Sequence, residues 1–132
     1  IIEIAPRLSG GYFSSDQIEL ATGINITEIA IRLSLGEKIN KDKLHFSYQK
    51  FVAIRYFFPK PGKITSISNI DSFKNESWVH KLNLFFRVGD VLEKVTDHTK
   101  RCGFVITTGN TRDEAVERAK TVVENIQILT RQ

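Results

Sequence analysis

The spacing of apolar residues changes in mid-chain, from the period of a helix before Gly36 to that of strands after Gln49. That change restricts the chain to a mixed fold. Ahead of it, Asn25 with Glu28 three residues on forms a capping box, and Ile26, Ile29, Ala30 and Leu33 recur at helical spacing up to Gly36. A shorter helix precedes this one, capped by Ser14 or Ser15, carrying Ile18, Leu20 and Ala21, and closed by Gly23. After it, Phe51, Val52, Ile54, Tyr56, Phe57 and Phe58 make an aromatic and β-branched strand. This strand stops at Pro59-Lys60-Pro61-Gly62, an order suited to a type II turn into a second strand through Ile64 and Ile67. Residues 69 to 77 read as a loop or short helical turn, Val79, Leu82, Leu84 and Phe86 as a third strand, and Arg87 to Asp90 as a tight turn.

Residues Cys102 to Thr107 predict another buried strand, ended by Gly109-Asn110. Thr111 as N-cap with Glu114 at the third helical position then opens a last helix, whose stripe of Ala115, Val116, Ala119, Val122, Val123 and Ile126 packs on a sheet. At the other end, Ile1 to Pro6 is apolar except for Glu3 and reads as a buried strand, followed by a loop holding the glycine pair Gly10-Gly11. Strand, two helices, several strands and a helix make an α+β arrangement, not alternating βαβ units. The lysine-rich stretch from Glu37 to Lys43 divides it into two parts, 1–43 and 44–132.

At 132 residues the chain suits one ordinary domain. It contains no methionine and begins Ile1-Ile2-Glu3-Ile4, which implies processing, truncation, or a piece of a longer protein. No apolar run approaches the ~20 residues of a spanning helix, so a soluble, cytoplasmic protein without a membrane partner is expected. A single cysteine, Cys102, excludes an internal disulfide framework and a cysteine-based zinc site. The net charge of +4 is spread along the chain and reads as solvated surface.

Several residue types could carry chemistry. Glu3 late in an apolar strand, beside Arg7 and a glycine pair with free backbone amides, could hold a hard cation while Arg7 neutralises a developing anion; an edge-strand carboxylate paired with a surface arginine is the plainer reading. His45, His80 and His98 are too far apart to suggest a local metal cluster. Cys102 reads as a small core residue, Asp97-His98-Thr99 as too adjacent in chain for a relay, and Tyr56-Phe57-Phe58 as core packing with a side chain on each face of the strand.

The ordered string Ile2-Glu3-Ile4-Ala5-Pro6-Arg7-Leu8-Ser9-Gly10-Gly11 resembles the last metal-binding strand and following loop of the ATP-grasp superfamily. Ala21-Thr22-Gly23-Ile24-Asn25 and the helix to Leu35-Gly36-Glu37 look like the run downstream of that strand. Phe58 to Ile64, Val88-Gly89-Asp90 and Gly103 to Ala115 are similar to the carboxy-terminal subdomain of biotin carboxylases and ATP-grasp amino-acid ligases. Ala5 departs from the pattern, since many members place Asn there as a further metal ligand; the purine-synthesis branch also carries a small residue before Pro-Arg.

The resemblance implies the end of an ATP-grasp lobe (1–43) followed by a small antiparallel-sheet subdomain with a packed carboxy-terminal helix (44–132). It implies the carboxy-terminal fragment of an ATP-dependent carboxylate–amine ligase, working through an acyl phosphate with Mg²⁺ or Mn²⁺ and inactive alone. Its partners would be ATP, a small carboxylate, an amine, the remainder of the ATP-grasp chain and, as is common in the family, a second copy in a homodimer. Glu3 takes the place of a metal ligand, Arg7 that of the catalytic arginine facing the acyl phosphate, and Ser9, Gly10 and Gly11 that of a substrate-side wall. The alternative is a small basic, non-enzymatic module binding nucleic acid or another anionic surface, on the strength of the +4 charge and the lysines from Lys38 to Lys43.

Overall fold

The computed structural model describes residues 4–131, which form two compact units divided between Phe51 and Val52. Residues 44–51 lie with the first unit, later than the expected division after residue 43. Two backbone bonds tie them there, from Ser47 N–H to the Thr22 carbonyl and from Lys50 N–H to the Ala21 carbonyl, both 3.0 Å.

The first unit is helical. A π-helical turn, Phe13–Gln17, runs directly into α1, Ile18–Thr22, and α2 follows at Ile26–Ser34. Both helices end as expected on left-handed glycines, Gly23 at φ 78° and Gly36 at φ 79°. The cap of α2 also forms, with Asn25 Oδ1 accepting from Glu28 N–H at 2.8 Å. Among the described residues of this unit the buried side chains are polar, Ser14 and Asp16, and neither helix buries an apolar one completely. Ile4, Ala5 and Pro6, the described part of the expected opening strand, pair with no strand, and Ile4 is 78% exposed. Apolar, β-branched composition favours a strand only where a neighbouring edge supplies hydrogen bonds and cover, and the described residues of this unit offer no such edge.

The second unit contains two three-stranded sheets. Strands β1 (Phe51–Tyr56), β3 (Val79–Leu84) and β5 (Gly103–Gly109) form the first in the order β1-β5-β3, and β3 runs antiparallel to β5 with Leu82 opposite Val105. Strands β2 (Gly62–Ser68), β4 (Val91–Leu92) and β6 (Gln127–Arg131) form the second in the order β4-β2-β6, all antiparallel. A helical turn, α3 (Asp71–Lys74), and the long helix α4 (Arg112–Asn125) complete the unit.

Three differences from the sequence reading have physical causes. The turn after β1 does not lead into a neighbouring strand of the same sheet, since β1 and β2 belong to different sheets. Nor does Pro61-Gly62 make a type II turn: Gly62 has φ 136°, and a Cβ there would stand 2.7 Å from the Arg131 carbonyl oxygen, so glycine is needed for strand approach and not for the turn. Strand β6, where the sequence reading ended at a helix, exists because β2 offers its free edge from Lys63 to Ser68. Ile126 already has extended dihedrals, φ −74° and ψ 113°, and the Asn69 side-chain amide donates to the Asn125 carbonyl at 2.9 Å, closing α4 without a glycine.

The core lies between β5 and α4. Val105 of β5 meets Ala115, Ala119 and Val122 of α4, with Ala53, Phe57, Cys102 and Ile126 around them. Small alanines on the helix stripe let it approach the strand closely, and the half-buried Ile67, Trp78, Leu82 and Ile128 extend the same cluster. Of the three consecutive aromatics, Phe57 is 2% exposed, Phe58 is 64% exposed, and Tyr56 lies under the Arg101 guanidinium at 4.0 Å, so the run divides between core and surface.

Candidate functional site

The candidate site residues of the described chain fall on one exposed loop. Arg7, Ser9, Gly10 and Gly11 are all exposed and consecutive but for Leu8, while Glu3 lies outside the described residues. Arg7 Nη1 donates to the Leu8 carbonyl at 3.2 Å, and its guanidinium has no carboxylate partner among the described residues. It therefore keeps most of its donors available to an anion, which a planar guanidinium can meet with two parallel hydrogen bonds.

The loop is not limp, because the residues after it constrain it. Gly11 at φ 65° is followed by Tyr12 at φ 68°, two left-handed residues in succession. For tyrosine this conformation costs on the order of 1–2 kcal/mol, so it persists only where its surroundings enforce it. Here the Tyr12 carbonyl accepts from both Asp16 N–H (3.2 Å) and Gln17 N–H (2.9 Å), the second of these being the π-helical bond. Phe13 N–H donates back to the Gly10 carbonyl at 3.4 Å. Ser14, 6% exposed, accepts Ser9 N–H on its Oγ at 2.9 Å, and its own carbonyl accepts from Thr27 Oγ1 at 3.0 Å. The sequence reading assigned Ser14 or Ser15 to capping the helix that follows. Ser14 instead bonds backward to the loop, and Ser15 Oγ donates to Asp16 Oδ2 at 2.6 Å. A π-turn closes one residue later than an α-turn, so cap positions counted on α spacing fall out of step. The left-handed Tyr12 carried no signal in the sequence.

Helix α2 has an open groove on each side. One, of about 630 Å³, is lined by Ser15, Thr27, Ile31 and Leu35; the other, of about 250 Å³, by Ile29, Ile39, Asp42, Lys43 and His45. Arg32 stands between them with both charges around it satisfied, 2.7 Å from Glu28 Oε1 and 2.9 Å from Glu37 Oε2. The hydrogen bond and charge of Arg32 hold the Glu28 carboxyl below its usual range, and Glu28 and Glu37 together raise the guanidinium pKa. A guanidinium so engaged is not an open anion site, in contrast to Arg7.

Cys102 and Asp97 serve the fold. Burial raises the Cys102 thiol above its ordinary value, and its Sγ faces the Lys100 carbonyl at 3.7 Å, which suits the core residue expected and not a thiolate. Asp97 Oδ1 accepts from the Thr99 amide at 2.9 Å and the Thr99 hydroxyl at 2.5 Å, so Asp97-His98-Thr99 is a capped turn. Among the described residues no three His, Cys, Asp or Glu side chains group as a metal site would require, and no helix is long and apolar enough to cross a membrane.

Known proteins match this chain at two levels. Among solved structures, an L-amino acid ligase from Bacillus licheniformis superposes with a TM-score of 0.77 at 17% identity, over 99% of this chain and 32% of its own. A phosphoribosylglycinamide synthetase from Anaerococcus prevotii superposes with a TM-score of 0.75 at 18% identity, over 95% and 32%. An uncharacterized protein of Sinorhizobium fredii is 25% identical over 126 residues, 96% of this chain and 26% of that protein. The chain thus spans about a quarter of the length of the curated relative and about a third of the solved ones. The expected resemblance to the carboxy-terminal portion of ATP-grasp ligases, with its α+β fold and antiparallel sheets, holds. The family match itself begins at residue 55, past the Arg7 to Gly11 loop, and runs from the end of β1 through β6, α4 included. With residues 55–131, more than half its length, fitting the model of L-amino acid ligase C-terminal domain 2, the chain belongs to that family.

Proposed function

We propose that this chain is the carboxy-terminal portion of an ATP- and Mg²⁺-dependent carboxylate–amine ligase of the cytoplasm, and that it contributes one wall of the active site. The observation that carries this reading is the exposed Arg7 guanidinium, free of any described carboxylate partner, on a loop whose backbone is held in place from Gly10 to Gln17. In such a ligase a carboxylate oxygen attacks the γ-phosphorus of ATP, ADP leaves, and an amine then attacks the acyl carbon and expels phosphate. Negative charge gathers on the acyl phosphate and on the tetrahedral oxygen. Arg7 would stand opposite that charge, where a preoriented donor lowers the barrier without reorganising. Ser9, Gly10 and Gly11 would line the amino-acid substrate, the absence of side chains on the glycines letting it approach the backbone closely.

The described residues do not by themselves fit a Mg²⁺ site, since no cluster of ligands is present among them. Glu3 would supply one carboxylate, with nucleotide phosphates and groups elsewhere in a longer protein completing the oxygen shell. Membership of an amino-acid ligase domain family favours this reading over a basic binding module.

The test uses the full-length protein that carries this chain. Mg-ATP and a mixture of L-amino acids should release ADP, and hydroxylamine should trap the acyl phosphate as a hydroxamate. Arg7→Ala should lower the rate by at least about a hundredfold. No amino-acid-dependent ADP release from the wild-type protein would sink the proposal.

A further inference from the structure

A loop rich in glycine, with Arg7 to Gly11 exposed, has little of its own to fix its course. What fixes it is a hydroxyl. Ser14 is one of only two buried side chains in the described part of the first unit, and it buries no apolar surface to speak of. Its Oγ is instead committed to the Ser9 amide, at the mouth of the glycine pair. Its carbonyl is committed to the Thr27 hydroxyl in the first turn of α2, thirteen residues on. The chain of bonds therefore runs from a helix, through a buried serine, to the loop. Between the two ends lies the left-handed Tyr12, whose conformation is closed by the π-turn onto its carbonyl. Backbone strain held next to a loop of this kind is a reason to look for a functional constraint, and π-turns recur at such places.

We infer that Ser14 is a positioning residue of the active-site wall: without touching substrate, its hydroxyl fixes the Ser9 amide, and through it the placement of Gly10, Gly11 and Arg7 against the amino-acid substrate. This rests on the ligase reading and adds a residue to it. Thr27 is the second member of the device, holding the π-turn to α2. The amide that Ser14 holds borders the glycine pair assigned to the amino-acid wall, so the expected effect falls on the amino-acid KM and not on the ATP KM.

The experiment compares wild-type full-length protein with Ser14→Ala, Ser14→Thr and Thr27→Val, measuring kcat and both KM values. It adds amide hydrogen exchange over residues 9 to 12. Ser14→Ala should raise the amino-acid KM about fivefold, the worth of one neutral hydrogen bond, with the ATP KM unchanged and exchange at Ser9 accelerated. Ser14→Thr, which keeps the hydroxyl, should restore both. Thr27→Val should raise the amino-acid KM by a smaller factor. Wild-type values of KM and exchange in Ser14→Ala would overturn the inference while leaving the ligase reading intact. So would a common fall of kcat, both affinities and melting temperature, which marks a purely structural serine. An inactive wild-type protein would overturn the ligase reading and the inference with it.

Discussion

Thr107 Oγ1 donates to the Ala115 carbonyl at 2.8 Å, joining the middle of β5 to the first turn of α4 inside a core where both residues are essentially inaccessible to solvent. The bond makes a polar residue acceptable at a fully buried position of the strand and sets the height of the helix over the sheet. Replacing Thr107 by valine keeps the shape and removes the bond, and about 1 kcal/mol of stability should go with it. Denaturant unfolding would show this as a lower midpoint at unchanged slope; an unchanged midpoint would mean that the hydroxyl contributes nothing.

Gly103 opens β5 at φ 152°, and a Cβ there would lie 2.5 Å from the Asn83 carbonyl oxygen and 2.9 Å from Leu84 Cα. Neither neighbour is a flexible side-chain end. Gly103→Ala should therefore destabilise the protein by about 3 kcal/mol, from left-handed strain and overpacking together. A melting temperature within error of wild type would refute the close packing of β3 on β5.

The cap of α4 has two bonds, one made by Thr111 and one by Glu114 reaching back past it to Asn110. Thr111 Oγ1 accepts Glu114 N–H at 3.1 Å, Glu114 Oε2 accepts Asn110 N–H at 2.5 Å, and Glu114 Oε1 also pairs with Arg118 at 2.7 Å. Thr111→Ala should cost about 1 kcal/mol, and Thr111→Asp should recover it, because aspartate caps as well and favours the helix dipole. Equal stability of the alanine and aspartate variants would argue against the cap.

Lys100 Nζ lies 2.9 Å from Glu93 Oε2, and that bond holds the Glu93 carboxyl below its ordinary 4.5; Asp97 is held below 3.8, chiefly by the Thr99 hydroxyl and amide. Groups depressed in the folded state favour folding above their ordinary values and lose that preference as pH falls through the folded ones. Lys100, raised above 10.5, behaves oppositely, its contribution being present below that value and lost as pH rises through the folded one. All three are open to solvent, so salt should weaken the effect. Side-chain NMR titration should place the Glu93 midpoint below 4.5, returning toward it in Lys100→Ala. A wild-type midpoint at or above 4.5 would contradict the pairing.

What the sequence made legible was mostly local. The helix from Thr111, the ends of α1 and α2 at Gly23 and Gly36, and the turn at Arg87 to Asp90, where Asp90 Oδ2 accepts Arg87 N–H at 2.9 Å, follow from residues within a few positions of one another. The partition of strands into two sheets did not, because whether β2 pairs with β1 or with β6 depends on surfaces far apart in sequence. The site divides the same way. Arg7 and the glycine pair can be read as an open loop, whereas the Ser14 tether depends on a π-turn that no residue pattern announces.

The pairing of β2 with β6 fixes when the second unit can finish folding. Ile64, 1% exposed, lies opposite Thr130, and Thr65 Oγ1 donates to the Leu129 carbonyl across 64 residues of chain. On the ribosome, β2 emerges long before its partner exists, and its edge must wait unpaired until residues 127–131 have cleared the exit tunnel. A stop codon placed just after Ile126 would leave every residue of the α4 core stripe in the product and still yield a chain with an open, sticky sheet edge, prone to aggregation.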